Sequence, residues 1–301
     1  MSMASPRALF LLAVLTLVWG TNFALFPLAV REVSVWTFRA VALPASGAIL
    51  LAVARARGQP LSIARRHWPT MIVSALAYLA TWNIASTYSA VLIPSGQTAV
   101  LGFTMPLWSA LISWAVLGER PGVRMLLAIV LGAAAVALLM LPDFGAYAHA
   151  PLGLALGLLA GLGWAVGTLV LARGAVAAPA LVLSGWQLIL GGVPIAIGAL
   201  AFGDGRWFVP SWQSIAVIGW ITLVPMAIGN ACWFAIVGLL PAGVAGLSSI
   251  MVPVIALVSG ALVHGEPLGP IQTAAMACCA ASLWLALFER RPAGSRARSK
   301  P

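Results

Sequence analysis

The side chains of this sequence that could bind a small molecule lie inside long apolar runs, and they are aromatic, amide and hydroxyl groups rather than charged ones. Tyr78 and Trp82 are four residues apart, so they share one face of a helix. Polar groups in hydrocarbon cost free energy unless they are paired, so they should face the interior of a helix bundle. The predicted ligand-contacting residues are Trp19, Asn22, Tyr78, Trp82, Asn83, Gln97, Trp164, Asn230, Trp233, Ser248 and Ser249.

Each of these residues also has a purely structural interpretation. Serine, asparagine and glutamine often join neighbouring transmembrane helices by hydrogen bonds. Tryptophan and tyrosine often form belts at the two membrane interfaces. Position deep within an apolar run favours a cavity role over a belt for Trp19, Tyr78, Trp82 and Trp164.

The acidic residues are placed away from the centres of the apolar runs. All six fall at the ends of runs or in loops: Glu32, Glu119, Asp143, Asp204, Glu266 and Glu289. Proton relays and cation pumps usually carry a carboxylate within the membrane. The sequence therefore predicts a neutral or zwitterionic substrate and facilitated export down a gradient, with coupling to protons left open.

Arg39 is the one charged side chain well inside an apolar run. Near the end of a transmembrane helix, a long basic side chain can snorkel to the interface or reach a nearby acid, here Glu32. The alternative is that Arg39 meets a substrate carboxylate. A phosphorylated substrate would need more cations than this one, so the sequence disfavours that class.

Neither catalysis nor a metal site is predicted. The histidines and cysteines form no motif: they are His67, His149, His264, Cys232, Cys278 and Cys279. A membrane-embedded enzyme would need a nucleophile with its base, or paired acids, within the membrane. The prediction is a protein that is not an enzyme and that uses no cofactor.

The elements that position these side chains follow from composition. The chain is 62% hydrophobic and 7% charged, whereas soluble domains average about 25% charged residues. A membrane helix needs about 20 apolar residues. Ten such runs are predicted, at 8–30, 35–54, 69–89, 95–117, 123–141, 152–171, 179–202, 212–238, 242–264 and 269–289.

The net charge of +10 is interpreted as a signal for membrane orientation and not as a sign that the protein binds nucleic acid. With the N-terminus inside, nearly all arginines of the loops and the tail are cytoplasmic, and only Arg31 and Arg206 lie outside. This asymmetry follows the positive-inside rule, so both termini are predicted to be cytoplasmic. Residues 290–301 are predicted to form a basic, disordered tail.

The sequence repeats itself after 147 residues. This shift superimposes Pro94 on Pro241, Gly96 on Gly243, Pro106 on Pro253, Gly118 on Gly265, Glu119 on Glu266 and Asn83 on Asn230. The repeat defines two five-helix units, 8–141 and 152–289. Because five is odd, the second unit enters the membrane from the opposite side, which predicts an all-α membrane fold of two inverted repeats.

Two short patterns recur within the units. Pro106 and Pro253 each come early in an apolar run, where a missing backbone hydrogen bond predicts a hinge or kink. The glycine of each Gly-Glu pair can end a helix in the left-handed conformation. The acid that follows is interpreted as an interfacial anchor, with a gate or coupling site as the alternative.

The paired five-helix units, the segment LVWGTNF at 17–23 and the twin endings P-x(11)-GE resemble the EamA-type branch of the drug/metabolite transporter superfamily. Within it, the chain is similar to the bacterial YddG-type exporters of aromatic amino acids. The resemblance implies a ten-helix bundle in the bacterial inner membrane, with a central cavity and alternating access. It further implies that helices one, three, four, six, eight and nine line the cavity, with two, five, seven and ten more peripheral.

The predicted function is therefore a secondary transporter that exports small neutral or zwitterionic metabolites, chiefly amino acids including aromatic ones. The alternative is an exporter or flippase of another neutral metabolite in the same superfamily. The expected partners are an amino acid substrate and the lipid bilayer, with no nucleic acid, and the protein is expected to be monomeric.

Overall fold

The computed structural model of the protein describes residues 6–118, 121–140, 150–204, 210–232 and 247–287. Every regular element in these ranges is helical. The α-helices are α1 (Pro6–Ala29), α2 (Val35–Ala56), α3 (Trp68–Ala75), α4 (Thr81–Leu92), α5 (Ser95–Gly102), α6 (Met105–Leu117), α7 (Val123–Met140), α8 (Pro151–Gly174), α9 (Ala180–Phe202), α10 (Trp212–Ile221), α11 (Leu247–His264) and α12 (Pro270–Leu287).

The helices are long and apolar enough for a membrane protein. Six stretches of the described residues can span a bilayer: Phe10–Ala29, Val35–Ala56, Ser95–Val116, Pro151–Gly174, Ala180–Phe202 and Trp212–Cys232. Shorter apolar helices cover Val123–Leu138, Met251–His264 and Pro270–Leu285. The chain is thus an all-α multipass membrane protein, while the crossing of the bilayer by ten helices stays a prediction.

The run predicted as the fourth span is interrupted. α5 ends at Gly102, a turn follows at residues 103–104, and α6 begins at Met105. Pro106 lies in the first turn of α6, where its missing N–H has no intrahelical bond to lose. Pro253 lies inside α11, where proline removes one backbone hydrogen bond. A helix break therefore lies beside Pro106, and the hinge motion predicted for the two prolines stays a prediction.

Two further helical runs contain π-helical segments. The first π segment, Leu76–Ala80, joins α3 to α4, and the second π segment, Thr222–Ile228, follows α10. The second contains Pro225, which cannot donate to the backbone ladder. Such segments turn side chains out of the α-helical register and are frequent at functional sites.

Close backbone contacts at glycine pack α8 into the centre of the bundle. A Cβ at Gly161 would lie 2.8 Å from the carbonyl oxygen of Gly102, and a Cβ at Gly163 would lie 2.5 Å from that of Ala77. One side of α8 therefore packs against the α5 region and another against the first π segment. Small residues permit this approach of helix backbones in membranes.

The remaining helices pack in long pairs. α2 lies along α9, α7 along α12, and α1 along α11. The main apolar core includes Phe26, Phe38, Leu43 and Leu188, all of which are buried. The described helix ends also agree with the sequence: Gly118 and Gly265 have φ of 69° and 66°, the left-handed conformation that ends helices.

Candidate functional site

A cavity lies at the centre of the bundle, where α1, α4, α8, α9, the region of the α5–α6 break and both π segments meet. It is lined by Trp19, Asn22, Phe23, Phe26, Tyr78, Leu79, Trp82, Asn83, Phe103, Trp164, Leu188, Pro225, Met226 and Asn230. None of these lining residues is charged. An apolar cavity with a few convergent polar groups is the usual form of a small-molecule site.

Trp164 is the centre of an aromatic cluster in this cavity. Its ring centroid lies 4.4 Å from that of Tyr78, 4.5 Å from that of Trp82 and 6.3 Å from that of Trp19. These spacings are those of favourable tilted and edge-to-face ring pairs. Phe23 and Phe103 extend the cluster from the ring of Trp82, at 6.4 Å and 6.3 Å. A ligand in the cavity would therefore meet ring faces and edges.

The space left between the rings is small. The cavity volume is about 70 Å³, whereas about 10–15 Å³ on this measure accommodates one water molecule. The cavity can hold several waters as it stands. A metabolite with an aromatic ring needs the surrounding side chains or helices to move apart.

Three asparagine amides contribute to the polarity of the cavity. Nδ2 of Asn83 donates to the carbonyl oxygen of Leu79 at 2.9 Å, and Nδ2 of Asn230 donates to that of Met226. Oδ1 of Asn22 is buried and has no hydrogen-bond partner among the described residues. Since buried polar atoms are almost always paired, this oxygen is a candidate acceptor for a ligand N–H or O–H group.

The second π segment is tied to α1 at the cavity wall. Nε1 of Trp19 donates to the carbonyl oxygen of Pro225 at 3.0 Å. A Cβ at Gly229 would lie 2.5 Å from the same ring nitrogen, so glycine there leaves room for the indole. The position of Trp19 is thus fixed by the backbone of the segment that contains Pro225.

Arg39 lies directly behind the cavity wall, enclosed by other side chains of the bundle. Its side chain is 1% exposed, and its guanidinium carbon lies 4.4 Å from the ring centroids of both Phe26 and Phe38. Glu32, the acid that the sequence offered as a partner, instead accepts a hydrogen bond from the backbone N–H of Ser211 at 2.7 Å. Hydrogen bonds from the side chain and backbone of Ser211 lower the pKa of the Glu32 carboxyl. The expectation that Arg39 snorkels or reaches Glu32 is therefore wrong.

Glu266, the acid of the second Gly-Glu pair, caps α5. Its Oε1 accepts from the N–H of Ser95 at 2.7 Å and its Oε2 accepts from the N–H of Gly96 at 3.2 Å. The first N–H groups of a helix lack backbone partners and carry a positive partial charge, so a carboxylate stabilises them. A Cβ at Gly96 would lie 2.6 Å from Cα of Leu257, which shows how closely α11 and α5 approach. Glu119, the equivalent acid of the first pair, lies outside the described residues.

We expect Glu266→Ala to lower the stability of the protein by about 1–2 kcal/mol, the usual effect of losing a charged helix cap. Glu266→Gln keeps one acceptor oxygen and should lose less. Thermal unfolding of both variants in the same detergent measures the difference. An unchanged Tm for Glu266→Ala would show that the cap does not stabilise the folded protein.

The cavity brings together most of the residues that the sequence put forward. Trp19, Asn22, Tyr78, Trp82, Asn83, Trp164 and Asn230 all line it. Gln97 is buried on α5 but does not line the cavity. Trp233 lies outside the described residues, and so do the side chains of Ser248 and Ser249, whose backbone belongs to α11.

Several lining residues were missed from the sequence. They are Phe23, Phe26, Leu79, Phe103, Leu188, Pro225 and Met226. As apolar residues in apolar runs, most carry no signal that separates a cavity wall from a packed core. Leu188 belongs to α9, so the seventh predicted span contributes to the wall, in contrast to the peripheral place that the family resemblance implied.

Comparison with known proteins identifies a protein family and several similar proteins. The model of the EamA-like transporter family matches residues 6–141 and again residues 151–288. The uncharacterized transporter YvbV of Bacillus subtilis strain 168 is 26% identical over 265 residues, which cover 87% of this chain and 85% of that protein. The uncharacterized inner membrane transporter YedA of Escherichia coli K12 is 25% identical over 267 residues, which cover 88% of this chain and 85% of that protein.

A solved crystal structure has the same fold. It superimposes with a TM-score of 0.66 over 93% of this chain and 96% of its own, at 21% sequence identity. At that identity, the likeness supports the fold and says nothing about the substrate.

Proposed function

The chain belongs to the EamA-like transporter family, and from that membership and the central cavity we propose that it exports small neutral or zwitterionic metabolites, chiefly amino acids and among them aromatic ones. Membership makes the protein a membrane transporter. The substrate class, the direction and the mechanism are the proposal. They extend the likeness to the YddG-type exporters of aromatic amino acids that the sequence suggested.

The observation that carries the substrate class is the combination of rings and amides in one cavity. Trp164 and the three aromatic rings around it offer stacking and edge contacts to an apolar or aromatic side chain. The buried, unpaired oxygen of Asn22 offers an acceptor for a substrate ammonium group. A strongly cationic substrate would instead require a carboxylate in the wall, and none of the lining residues carries one.

Alternating access is the mechanism that suits so small a cavity. A volume of about 70 Å³ cannot hold an aromatic amino acid, so substrate binding requires a conformation with a wider cavity. The α5–α6 break beside Phe103 offers a place where two helical segments can move separately while the backbone stays hydrogen bonded. We assign Pro106 and Pro253 hinge roles in that motion.

We further propose ten transmembrane helices arranged as two inverted units, residues 8–141 and 152–289. The family model matches the chain twice, once in each unit. The 147-residue shift carries the first π segment onto the second, and it carries the Asn83–Leu79 side-chain bond onto the Asn230–Met226 bond. Two copies of one ancestral unit would explain these shared local structures.

The same proposal includes location and assembly. The charge asymmetry of the loops supports cytoplasmic termini, and the similarity to an inner membrane transporter supports the bacterial inner membrane. We propose a monomer as the functional unit, because the cavity is enclosed by helices of one chain. Gln97, Trp233, Ser248 and Ser249 remain proposed substrate contacts for a more open conformation.

The test is uptake into liposomes that contain the purified protein. Labelled phenylalanine, tryptophan and threonine are supplied outside, with and without a proton gradient, and protein-free liposomes are the control. We expect the aromatic amino acids to equilibrate without a gradient, since the cavity wall has rings and no carboxylate. Uptake of none of the three would exclude the amino acid proposal and favour another neutral metabolite within the same family.

A further inference from the structure

Arg39 is a buried cation whose hydrogen bonds do not satisfy it. Its Nε donates to the hydroxyl of Thr87 at 2.8 Å, and its Nη1 lies 3.9 Å from the sulfur of Met226, which is only a weak acceptor. Its Nη2 is buried and has no hydrogen-bond partner among the described residues. Part of the donor capacity of the guanidinium is therefore unused.

No acid in the described ranges neutralises this charge. Glu32, Asp204 and Glu266 each accept hydrogen bonds from backbone N–H groups at the start of a helix, and none of them forms an ion pair with Arg39. Contact with the Phe26 and Phe38 rings offsets part of the cost of burial, because a cation is attracted to a ring face. Burying a charge without a counter-ion inside a membrane protein still costs free energy. Residues that carry such a charge usually have a functional role.

Arg39 is separated from the cavity by one layer of side chains. Phe26 and Met226, its neighbours on two sides, both line the cavity. Thr87, its hydrogen-bond partner, donates in turn to the carbonyl oxygen of Asn83, which is also a lining residue. Movement of the flexible Met226 side chain would open the Nη1 side of the guanidinium to a ligand in the cavity.

A second unsatisfied group lies nearby on α1. Asn22, whose buried Oδ1 has no partner among the described residues, is four residues before Phe26 and so lies on the same helical face. The two residues are separated by about 6 Å, one turn along the helix axis. The acceptor of Asn22 is thus one helical turn from Phe26, the ring that the guanidinium of Arg39 contacts from behind the cavity wall. An α-amino acid carries the complementary pair, an ammonium donor and a carboxylate acceptor.

We propose that Arg39 binds the carboxylate of the transported substrate and that Asn22 accepts a hydrogen bond from its ammonium group. This inference rests on the proposed function, and it narrows the substrate from neutral or zwitterionic metabolites to carboxylate-bearing ones. The apolar side chain of the substrate would then lie among the rings around Trp164. Guanidinium and carboxylate form paired, charge-assisted hydrogen bonds, which supply the missing counter-ion.

The experiment measures how much the carboxylate contributes to ligand binding, apart from the rest of the ligand. The thermal stability of the purified protein in detergent is measured with 3-phenylpropionate and with 3-phenylpropanol, which differ at the carboxylate alone. Uptake of labelled phenylalanine into liposomes is then competed with phenylalanine and with phenylalaninamide. The variants are Arg39→Gln, Arg39→Met and Arg39→Lys, and Arg31→Gln is the matched control because Arg31 is an exposed arginine outside the cavity.

We expect 3-phenylpropionate to raise the Tm of the unmodified protein and of Arg31→Gln, and 3-phenylpropanol to leave it unchanged. Arg39→Gln and Arg39→Met should bind the carboxylate roughly thirtyfold more weakly or worse, the usual effect of removing one partner of a buried ion pair. Without ligand, Arg39→Met should unfold at the same temperature or higher, since it removes an unpaired buried charge. Arg39→Lys should recover part of the preference for the carboxylate.

Two results would overturn this inference. One is equal stabilisation of the unmodified protein by the acid and the alcohol. The other is an Arg39→Gln variant that takes up phenylalanine with unchanged affinity, which would leave the proposed amino acid export standing. Conversely, an Arg39-dependent response to carboxylates without uptake of any amino acid would support the carboxylate site and exclude the proposed amino acid transport.

Discussion

Replacing Trp164 with alanine is expected to reduce phenylalanine uptake at least tenfold while the protein still inserts and folds. The indole contacts the rings of Trp19, Tyr78 and Trp82 around the cavity. Each aromatic pair contributes about 0.5–1.5 kcal/mol beyond area burial, so removal of the central ring affects three such pairs and the contact with a substrate ring. Tyr78→Ala should have an effect in the same direction, because its ring centroid lies 4.4 Å from that of Trp164.

The control for this prediction is a tryptophan that faces outward. Trp220 lies on α10 and is 55% exposed, so Trp220→Ala removes the same side chain at a position that does not line the cavity. Initial uptake rates in liposomes are compared at equal amounts of folded protein, judged by monodisperse elution in detergent. Trp164→Phe keeps a ring at the site and should retain more uptake than Trp164→Ala. Normal uptake by both Trp164→Ala and Tyr78→Ala would remove these residues from the substrate site.

Gly167→Val is expected to lower both the free energy of unfolding and the rate of transport. A Cβ at Gly167 would lie 2.4 Å from Cβ of Tyr78, 2.7 Å from its backbone nitrogen and 2.8 Å from the carbonyl oxygen of Ser74. Two of these atoms belong to the backbone, so the strain cannot be relieved by rotation of a side chain. Overpacking of this kind costs about 1–3 kcal/mol. Because the displaced backbone includes that of Tyr78 in the first π segment, the ring of Tyr78 shifts with it.

Gly219, on another helix, is a glycine position with free space around it and serves as the comparison for Gly167. A Cβ there would meet no atom within 4 Å, and its backbone lies within α10. Alanine favours a helix interior over glycine by about 1 kcal/mol in peptides, so Gly219→Ala should keep or raise the Tm. Thermal unfolding of Gly167→Ala, Gly167→Val and Gly219→Ala in one detergent gives the comparison. Equal Tm values for all three would contradict the close contact between α8 and the first π segment.

The Glu266 cap of α5 and the buried Arg39 have different energetic roles. Glu266 stabilises through backbone groups that any folded state of α5 must satisfy, so its loss is a matter of stability. Arg39 lacks a counter-ion among the described residues, and the role proposed for it is ligand binding rather than stabilisation of the fold. The two variants should therefore affect Tm differently, with a fall for Glu266→Ala and an unchanged or higher Tm for Arg39→Met.

Local chemistry explains what could be predicted from the sequence. The long apolar runs predicted helices, because a chain in lipid must satisfy its backbone within each segment. Gly118 and Gly265 predicted helix ends, because glycine adopts the left-handed conformation without a steric cost. Seven polar and aromatic residues placed deep in apolar runs do line one cavity, and for the asparagines the reason is that an unpaired amide costs free energy in lipid. The π segments had no such local signal, and only Pro225 marked one of them.

The sequence could not predict the surroundings of individual side chains, because these depend on which helices pack together. Helical periodicity indicates that Gln97 faces protein, but not whether the protein opposite is a cavity or a packed helix. Arg39 near a helix end predicted snorkelling, yet the packing of Phe26, Phe38 and Met226 around it encloses the guanidinium instead. The sequence by itself thus determined a helical membrane protein, the helix ends at Gly118 and Gly265, and many of the side chains that line the cavity. Tertiary structure alone decided which of these side chains share the cavity, because contacts between helices distant in sequence depend on how their surfaces fit together.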